Sequence, residues 1–149
     1  MEITTALASD ISELCILLDV LFSQEAEFSP NRENQARGLS RIIENPAIGH
    51  IVVAKVDGAI VGMVNVLFTV STALGAQVAI FEDMVISPAV RGSGIGSQLL
   101  KYAIRSAQSC GCKRITLLTD IDNISAQNFY KKQGFKQSSM IPMRLSLGD

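Results

Sequence analysis

The chain has 149 residues, of which 48% are apolar and 18% charged, and its 13 basic and 14 acidic side chains leave a net charge of −1. A chain of this length is expected to form a single domain over residues 1–149 that buries roughly 70% of the surface its unfolded form exposes. Nucleic acid is disfavoured as the main partner, because that affinity depends on clustered cations. The longest apolar stretch, 59–66, is interrupted by Gly62 and Asn65. It is far shorter than the ~20 residues of a spanning helix, so we expect no membrane partner.

The amino terminus and the cysteines indicate the compartment. Residues 1–10 contain neither a basic cluster nor an apolar signal core, which predicts a cytoplasmic location. The three cysteines, Cys15, Cys110 and Cys112, are an odd number that suits free thiols in a reducing environment. No spacing of cysteines with the single histidine, His50, matches a zinc site, so no metal is predicted.

The first half of the chain reads as a short strand, two helices and an antiparallel hairpin. Apolar residues at helical spacing predict a first helix over 11–23, which Asp10 and Glu13 would open as a capping box. Ser29-Pro30 has the form of a helix start, and the second helix would run to Asn45-Pro46. Two strands, 51–56 and 59–70, flank Asp57-Gly58, which is a strong signal for a two-residue turn.

The second half alternates strands with helices. A strand over 77–86 is followed by a helix that begins at the glycines of residues 92–96 and ends near Gly111. A short strand over 114–119, a helix over 124–133 and two terminal strands separated by Pro142 complete the chain. The order β-α-α-β-β-β-α-β-α-β-β predicts an α/β (α+β) fold with one mixed sheet and helices on both faces.

The most informative stretch is the turn Arg91-Gly92-Ser93-Gly94-Ile95-Gly96, which lies between an apolar strand and an amphipathic helix. Glycines allow a ligand to approach the backbone, and the first N–H groups of the helix are unpaired and carry partial positive charge. These features suit a phosphate group. The alternative is that the glycines only form a tight turn. The spacing matches neither a P-loop nor the dinucleotide-binding fingerprint.

Residues 81–100, FEDMVISPAVRGSGIGSQLL, followed by Asn123, Ala126, Tyr130 and Gly134-Phe135, resemble the GNAT superfamily of acyl-CoA-dependent N-acetyltransferases. The resemblance covers residues 3–140 in the order of elements. It implies a mostly antiparallel central sheet, acetyl-CoA as the cosubstrate and no metal. The predicted reaction is transfer of an acetyl group to a primary amine of a small molecule or peptide by direct attack.

The resemblance also implies which residues bind the coenzyme. Backbone N–H groups of the turn would hold the pyrophosphate, which assigns that role to Arg91, Gly92, Ser93, Gly94, Ile95, Gly96 and Ser97. The strand before the turn would hydrogen-bond the pantetheine arm through the main chain of Met84, Val85 and Ile86. Asn123 would contact the pantetheine region, with simple capping of the last helix as the alternative.

Two side chains are predicted to be catalytic. Glu82 is favoured over Asp83 as the base, because successive side chains of a strand face opposite ways unless a bulge intervenes. The alternative for Glu82 is a solvated or ion-paired carboxylate. Tyr130 is the predicted acid for the departing thiolate, and the alternative is a core tyrosine packed on Phe129. The main-chain N–H near Met84 is a candidate to polarise the thioester carbonyl.

The acceptor is less well defined. By resemblance, Glu25 through the second helix, residues 71–75 and residues 138–142 would frame its groove, with Phe22, Phe28 and Phe68 as a possible apolar wall. Four carboxylates, those of Glu25, Glu27, Glu82 and Asp83, would favour a cationic amine. Two other functions stay open at this point, a non-catalytic acetyl-CoA-binding regulatory module and a nucleotide-phosphate binder. A homodimer is also left open.

Overall fold

The computed structural model describes residues 1–25 and 27–148. Its strands are β1 Glu2–Thr5, β2 Gly49–Val56, β3 Ala59–Ser71, β4 Ala76–Ile86 and β5 Ile115–Leu117. Its helices are α1 Ile11–Gln24, α2 Arg32–Ile43, α3 Ile95–Ser109 and α4 Ile124–Lys132, with 3₁₀ turns at Ala8–Asp10 and Pro88–Val90. Within the described ranges, no helix is both long enough and apolar enough to cross a membrane.

The five strands form one sheet in the order β1-β2-β3-β4-β5. The first three pairings are antiparallel and β4 pairs with β5 in parallel, so the predicted mixed, mostly antiparallel sheet is confirmed. The β2–β3 hairpin turns at Asp57 (φ 50°) and Gly58 (φ 80°). Positive φ at both positions is typical of the turn that Asp-Gly predicts.

Strand alternation divides the core between the two faces of the sheet. Val52, Val64 and Val66 pack with Leu99 and Leu100 of α3. The intervening residues Ile51, Val53 and Met63 pack on the opposite face with Leu14 and Leu18 of α1 and Leu39 of α2. The sheet therefore has helices on both faces, as the sequence predicts, and each face has a separate apolar cluster.

The two predicted terminal strands are wrong. Beyond α4, no strand is assigned up to residue 148. Phe135 packs against the cluster on the α3 face, but the apolar side chains further along this segment are exposed, for example Met140 by 83% and Met143 by 89%. Apolar composition and extended propensity indicate that a strand is possible, but a strand also needs a neighbour for its N–H and C=O groups. The sequence cannot supply that information.

The capping of two helices also differs from the prediction, although α1 begins at Ile11 as predicted. The α2 cap is Asn31, whose side chain accepts a hydrogen bond from the Asn34 N–H at 3.0 Å, so this helix begins after Ser29-Pro30. Asp10 and Glu13 do not form a capping box. Asp10 accepts from the Leu7 N–H at 2.8 Å, and Glu13 accepts from the Ile60 N–H at 3.0 Å. A tertiary hydrogen bond therefore replaces the local cap at Glu13.

Candidate active site

A β-bulge interrupts β4 at the acidic pair. Asn65 of β3 is opposite Glu82, and Met63 is opposite Val85, so Val64 faces two residues of β4. One of these two is Asp83, with φ 56°, a conformation that few residues other than glycine adopt. The extra residue lets two neighbouring side chains reach the same side of the sheet.

Glu82 and Asp83 accordingly line one cleft together. This cleft of about 330 Å³ lies between the sheet and the first two helices, and we call it the main cleft. Its lining residues are Leu18, Phe22, Phe28, Ser29, Asn31, Asn34, Gln35, Gly38, Leu39, Ile42, Asn65, Leu67, Glu82 and Asp83. Neighbouring side chains of a strand face opposite ways unless a bulge intervenes, and the structure has such a bulge at these two carboxylates.

A second cleft of about 180 Å³ shares both carboxylates. Glu25, Leu118 and Arg144 also line it. The Arg144 guanidinium forms an ion pair with Glu27 at 3.0 Å and lies 5.7 Å from the ring centre of Phe28. Arg144 brings the carboxy-terminal segment to this site, which the sequence analysis did not predict.

Burial and neighbouring negative charge raise the pKa of two carboxyl groups of these clefts, those of Asp83 and Glu25. Burial, followed by the negative charges of Glu82 and Glu25, raises the pKa of Asp83 to about 7. Burial also raises the pKa of Glu25, and the charges of Asp120, Glu27 and Glu82 add to the effect. An acidic group with a pKa near neutrality is suited to accept a proton at physiological pH.

Asn65 is a site residue that the sequence analysis did not assign. It is 3% exposed and lines the main cleft. Its Nδ2 group donates to Asp83 Oδ2 at 2.8 Å. Its Oδ1 atom is buried without a hydrogen-bond partner, the one such side-chain atom among residues 1–25 and 27–148. The available signal was a single polar residue inside the apolar stretch 59–66.

Strand β4 loses its neighbour just before the bulge. Pairing between β4 and β5 ends at Phe81 and Leu117, so residues 82–86 of β4 have no partner from β5. The edge of Met84, Val85 and Ile86 on the β5 side therefore has no strand partner among the described residues, and we call this open edge the gap. The Ile86 carbonyl accepts a hydrogen bond from Arg91 Nε at 3.1 Å, which holds the arginine against the end of the strand.

The glycine turn follows β4 and presents free donors. Gly92 and Gly94 have φ of 82° and 85°, and Gly94 is the residue before α3. Within the described part of the chain, the N–H groups of residues 92–97 donate to no protein group. A Cβ added at Gly92 or Gly94 would meet no atom within 4 Å, so these glycines leave open space in front of the donors. A row of free N–H groups at a helix start fits the pyrophosphate of coenzyme A.

Helix α4 brings two predicted residues towards this region. Burial raises the pKa of Tyr130 to about 12. Its ring packs edge-on against Phe129 at 5.3 Å and Phe135 at 5.8 Å between ring centres. The Asn123 side chain caps α4 by accepting from the Ala126 N–H at 3.0 Å, which leaves its Nδ2 group as a donor. Tyr130 therefore packs on Phe129 and Asn123 caps α4, which are the structural alternatives to their predicted functions. Each of these structural roles is compatible with the predicted function of the same residue.

Some predicted features lie elsewhere. Phe22 and Phe28 line both clefts, whereas Phe68 packs on His50 with 5.7 Å between ring centres. Among the described residues, neither 71–75 nor 138–142 contributes to the lining of the two clefts. The walls come instead from α1, α2, the segment between them and the sheet, and Leu118 and Arg144 add to the second cleft.

Comparison with known proteins identifies the family. The sequence profile described as the acetyltransferase (GNAT) family matches residues 14–135. The chain belongs to the GNAT acetyltransferase family. It is an N-acetyltransferase, and members of this family use acetyl-CoA as the cosubstrate.

Three individual proteins are similar to this chain over most of its length. The aminoalkylphosphonate N-acetyltransferase of Salmonella typhimurium is 28% identical over 137 residues, which cover 92% of this chain and 86% of the relative. A crystal structure of a protein described as a transcriptional regulator from Bacillus halodurans C-125 is 28% identical, with a TM-score of 0.81 over 98% of this chain and 99% of that one. A Trypanosoma brucei acetyltransferase is 27% identical, with a TM-score of 0.72 over 98% of this chain and 99% of the other.

Proposed function

We propose that this GNAT acetyltransferase transfers the acetyl group of acetyl-CoA to the primary amine of a small cationic acceptor. One observation carries the proposal. The bulge places Glu82 and Asp83 in one cleft, next to the point where β4 separates from β5 and leads to the free N–H groups of residues 92–97. Proton acceptors and coenzyme-binding donors therefore lie on consecutive parts of the same strand and turn.

Both carboxylates have a part in removing the proton of the acceptor ammonium. Glu82, the predicted base, is the more exposed of the two and lies in both clefts, where it attracts the cation. Asp83 is held by Asn65 and has a pKa of about 7, which suits it to take the proton. We therefore assign proton abstraction to Asp83, with Glu82 as the alternative base that mutagenesis distinguishes.

Two further groups serve the remaining steps. The Met84 N–H, in the gap beside β4, stabilises the negative charge that develops on the acetyl carbonyl oxygen as the amine nitrogen bonds to the carbonyl carbon. When the C–S bond breaks, Tyr130 gives its phenolic proton to the departing sulfur, and the phenolate takes up the second proton that the nitrogen must lose to become a neutral amide. The pKa of Tyr130, about 12, keeps the phenol protonated before this step.

Backbone donors hold the coenzyme in this proposal. The N–H groups of residues 92–97 bind the pyrophosphate, and the hydroxyl of Ser97, which accepts from Gln133 Nε2 at 2.8 Å, keeps a proton to donate. The main chain of Met84–Ile86 pairs with the pantetheine arm in the gap, and Asn123 Nδ2 donates to the same arm. Arg91 adds positive charge at the entrance.

The charge of the main cleft limits the acceptor class. Two carboxylates line it, and no lysine or arginine occurs among its described lining residues. Acceptors that carry a phosphonate or phosphate group are therefore disfavoured, although one relative is named for an aminoalkylphosphonate acceptor. Phe22, Leu18 and Leu39 provide an apolar wall for the body of the amine.

The test is a screen of amine acceptors that detects coenzyme A release and subtracts acetyl-CoA hydrolysis. The panel contains polyamines, amino acids, aminoglycosides, amino sugars, peptide N-termini and an aminoalkylphosphonate. We expect turnover with cationic amines that lack an acidic group. Turnover with the aminoalkylphosphonate alone would contradict the acceptor class, and no turnover with any member would contradict the function.

We also propose that the chain forms a homodimer through its carboxy-terminal segment. Residues 140–147 contain five large apolar side chains that are at least 81% exposed, those of Met140, Ile141, Met143, Leu145 and Leu147. Burial of each against a second copy would contribute about 1.5–3 kcal/mol.

The cytoplasmic location and the single domain stay predictions.

A further inference from the structure

Of the two polar atoms of the Asn65 side-chain amide, only one has a hydrogen-bond partner. Its Nδ2 group has a partner in Asp83 Oδ2 at 2.8 Å, while its Oδ1 atom is buried and has none among the described residues. The alternative orientation of the amide would turn Oδ1 towards a carboxylate and repel it when Asp83 is ionised. When Asp83 is ionised, as it must be to accept a proton, its contact with Asn65 therefore determines which way the unpartnered oxygen points.

A buried acceptor without a donor is costly, and other polar groups of this cleft avoid that cost. Gln35, which is 7% exposed, donates to the Cys15 carbonyl and to Asp19 and accepts from the Asn31 N–H. Asn65 is on the central strand β3, directly opposite Glu82, and both residues line the main cleft. The missing donor is therefore expected from whatever occupies the cleft.

The neighbouring charges identify the donor as a cation that carries N–H groups. Glu82 and Asp83 face the same space, and Glu25 is close enough to raise the pKa of Asp83. A primary ammonium has three N–H donors. After the ammonium loses one proton, its nitrogen keeps two N–H groups and gains a lone pair. If each N–H group donates to an acceptor of the cleft, the lone pair points away from these two acceptors.

We propose that Asn65 orients the acceptor amine, with its Nδ2 group holding the Asp83 carboxylate and its Oδ1 atom accepting a hydrogen bond from the amine nitrogen. This assignment rests on the proposed function, because it needs an amine in the main cleft. It makes Asn65 a substrate-binding residue and predicts a preference for unsubstituted primary amines. A quaternary nitrogen has no N–H group, and a tertiary nitrogen has none left after it loses its proton, so neither can donate to Asn65 Oδ1.

The first experiment uses the wild-type protein with the Asn65 side-chain amide labelled with ¹⁵N. Butylammonium and butyltrimethylammonium have the same charge and chain, but only the first has N–H groups. We expect the Asn65 amide resonances to shift on titration with butylammonium and to remain unchanged with butyltrimethylammonium. Equal responses to both cations, or no response to either, would overturn the proposal.

The second experiment compares Asn65→Leu with wild type on the best amine of the acceptor screen. We expect the KM for the amine to rise at least about tenfold, the equivalent of one lost hydrogen bond to a charged group. The KM for acetyl-CoA and the cooperative melting transition should stay close to wild type. An unchanged amine KM would overturn the role of Asn65 while leaving acetyl transfer intact. A shift with butylammonium in a protein that acetylates nothing would instead contradict only the proposed function.

Discussion

Phe81 and Val85 are four residues apart on β4, yet they pack on opposite faces of the sheet. Phe81 is in the cluster with α3, and Val85 is in the cluster with α1 and α2. A regular strand would place both on one face, because its side chains alternate with a period of two. The bulge at Asp83 adds one residue to β4, so side chains after the bulge lie on the opposite face from the one that regular alternation would give. The same bulge brings Glu82 and Asp83 into one cleft.

The two carboxylates can be separated by the pH dependence of kcat/KM. If Asp83 is the base, Asp83→Asn should lower kcat/KM about 100-fold, the usual scale of general-base catalysis, and remove the acid limb near pH 7. Glu82→Gln should keep that limb but move it to lower pH, because the Glu82 charge raises the pKa of Asp83. Loss of the limb in Glu82→Gln and its survival in Asp83→Asn would assign the base to Glu82.

The raised pKa of Asp83 also predicts how stability depends on pH. The unfolded chain loses the Asp83 proton near pH 3.8, whereas the folded protein keeps it to about pH 7. Between these values the folded state binds more protons, so this group's stabilising contribution decreases as pH rises, in total by on the order of 4 kcal/mol. Urea unfolding of wild type and Asp83→Asn at pH 4 and pH 8 measures the effect. The variant should gain stability relative to wild type at pH 8, and an equal difference at both values would contradict the shift.

Tyr130 can be tested against the other tyrosine of the chain. Tyr130→Phe keeps the ring that packs on Phe129 and removes only the hydroxyl, so we expect turnover to decrease at least tenfold, on the scale of general-acid catalysis. The dissociation constant for coenzyme A should change little. Tyr102→Phe, on α3, is the matched control and should keep wild-type turnover. Wild-type turnover in Tyr130→Phe would show that another group protonates the thiolate.

The free N–H groups of the turn predict a specific effect of Gly94→Ala. The new methyl group would occupy the space in front of the donors, and we expect the dissociation constant for coenzyme A, measured by calorimetry, to rise about tenfold. Gly58→Ala is the matched control, because Gly58 has φ 80° against 85° for Gly94 and equally open space. Both variants carry the same backbone strain of about 1 kcal/mol, so only Gly94→Ala should weaken coenzyme binding. Equal affinities in the two variants would place the pyrophosphate elsewhere.

The exposed carboxy-terminal segment predicts the oligomeric state. Light scattering after size-exclusion chromatography should give a dimer for wild type and a monomer for the double variant Leu145→Ser/Leu147→Ser. Ile16→Ser is the control, because Ile16 is an isolated exposed apolar residue of α1, 57% accessible, whose substitution should leave the dimer intact. A monomeric wild type, or a double variant that stays dimeric, would contradict this interface.

Much of the fold and part of the candidate site follow from local sequence patterns. Helical spacing, the Asp57-Gly58 turn and β-branched runs identified the elements from β2 to α4 within a few residues, because these signals depend on neighbours in the chain. The glycine turn was identified for the same reason, since its donors belong to consecutive residues. Residues 91–97 could therefore be recognised as a glycine turn at a helix start without tertiary information.

The acceptor side of the site was decided by tertiary structure. The bulge arises because β4 has one residue more than β3 between the pairs Asn65–Glu82 and Met63–Val85. This count depends on the register of the two strands, and the register determines on which face of the sheet Asp83 lies. Burial, which depends on the packing of the chain, raises the pKa of Asp83 most, and the charges of the adjacent Glu82 and the distant Glu25 add to it. The same applies to the terminal segment, whose apolar pattern predicts strands but which has no neighbour in the sheet. The sequence by itself determined the elements from β2 to α4 and the glycine turn, and only the packing of distant segments decided which polar groups meet in the main cleft.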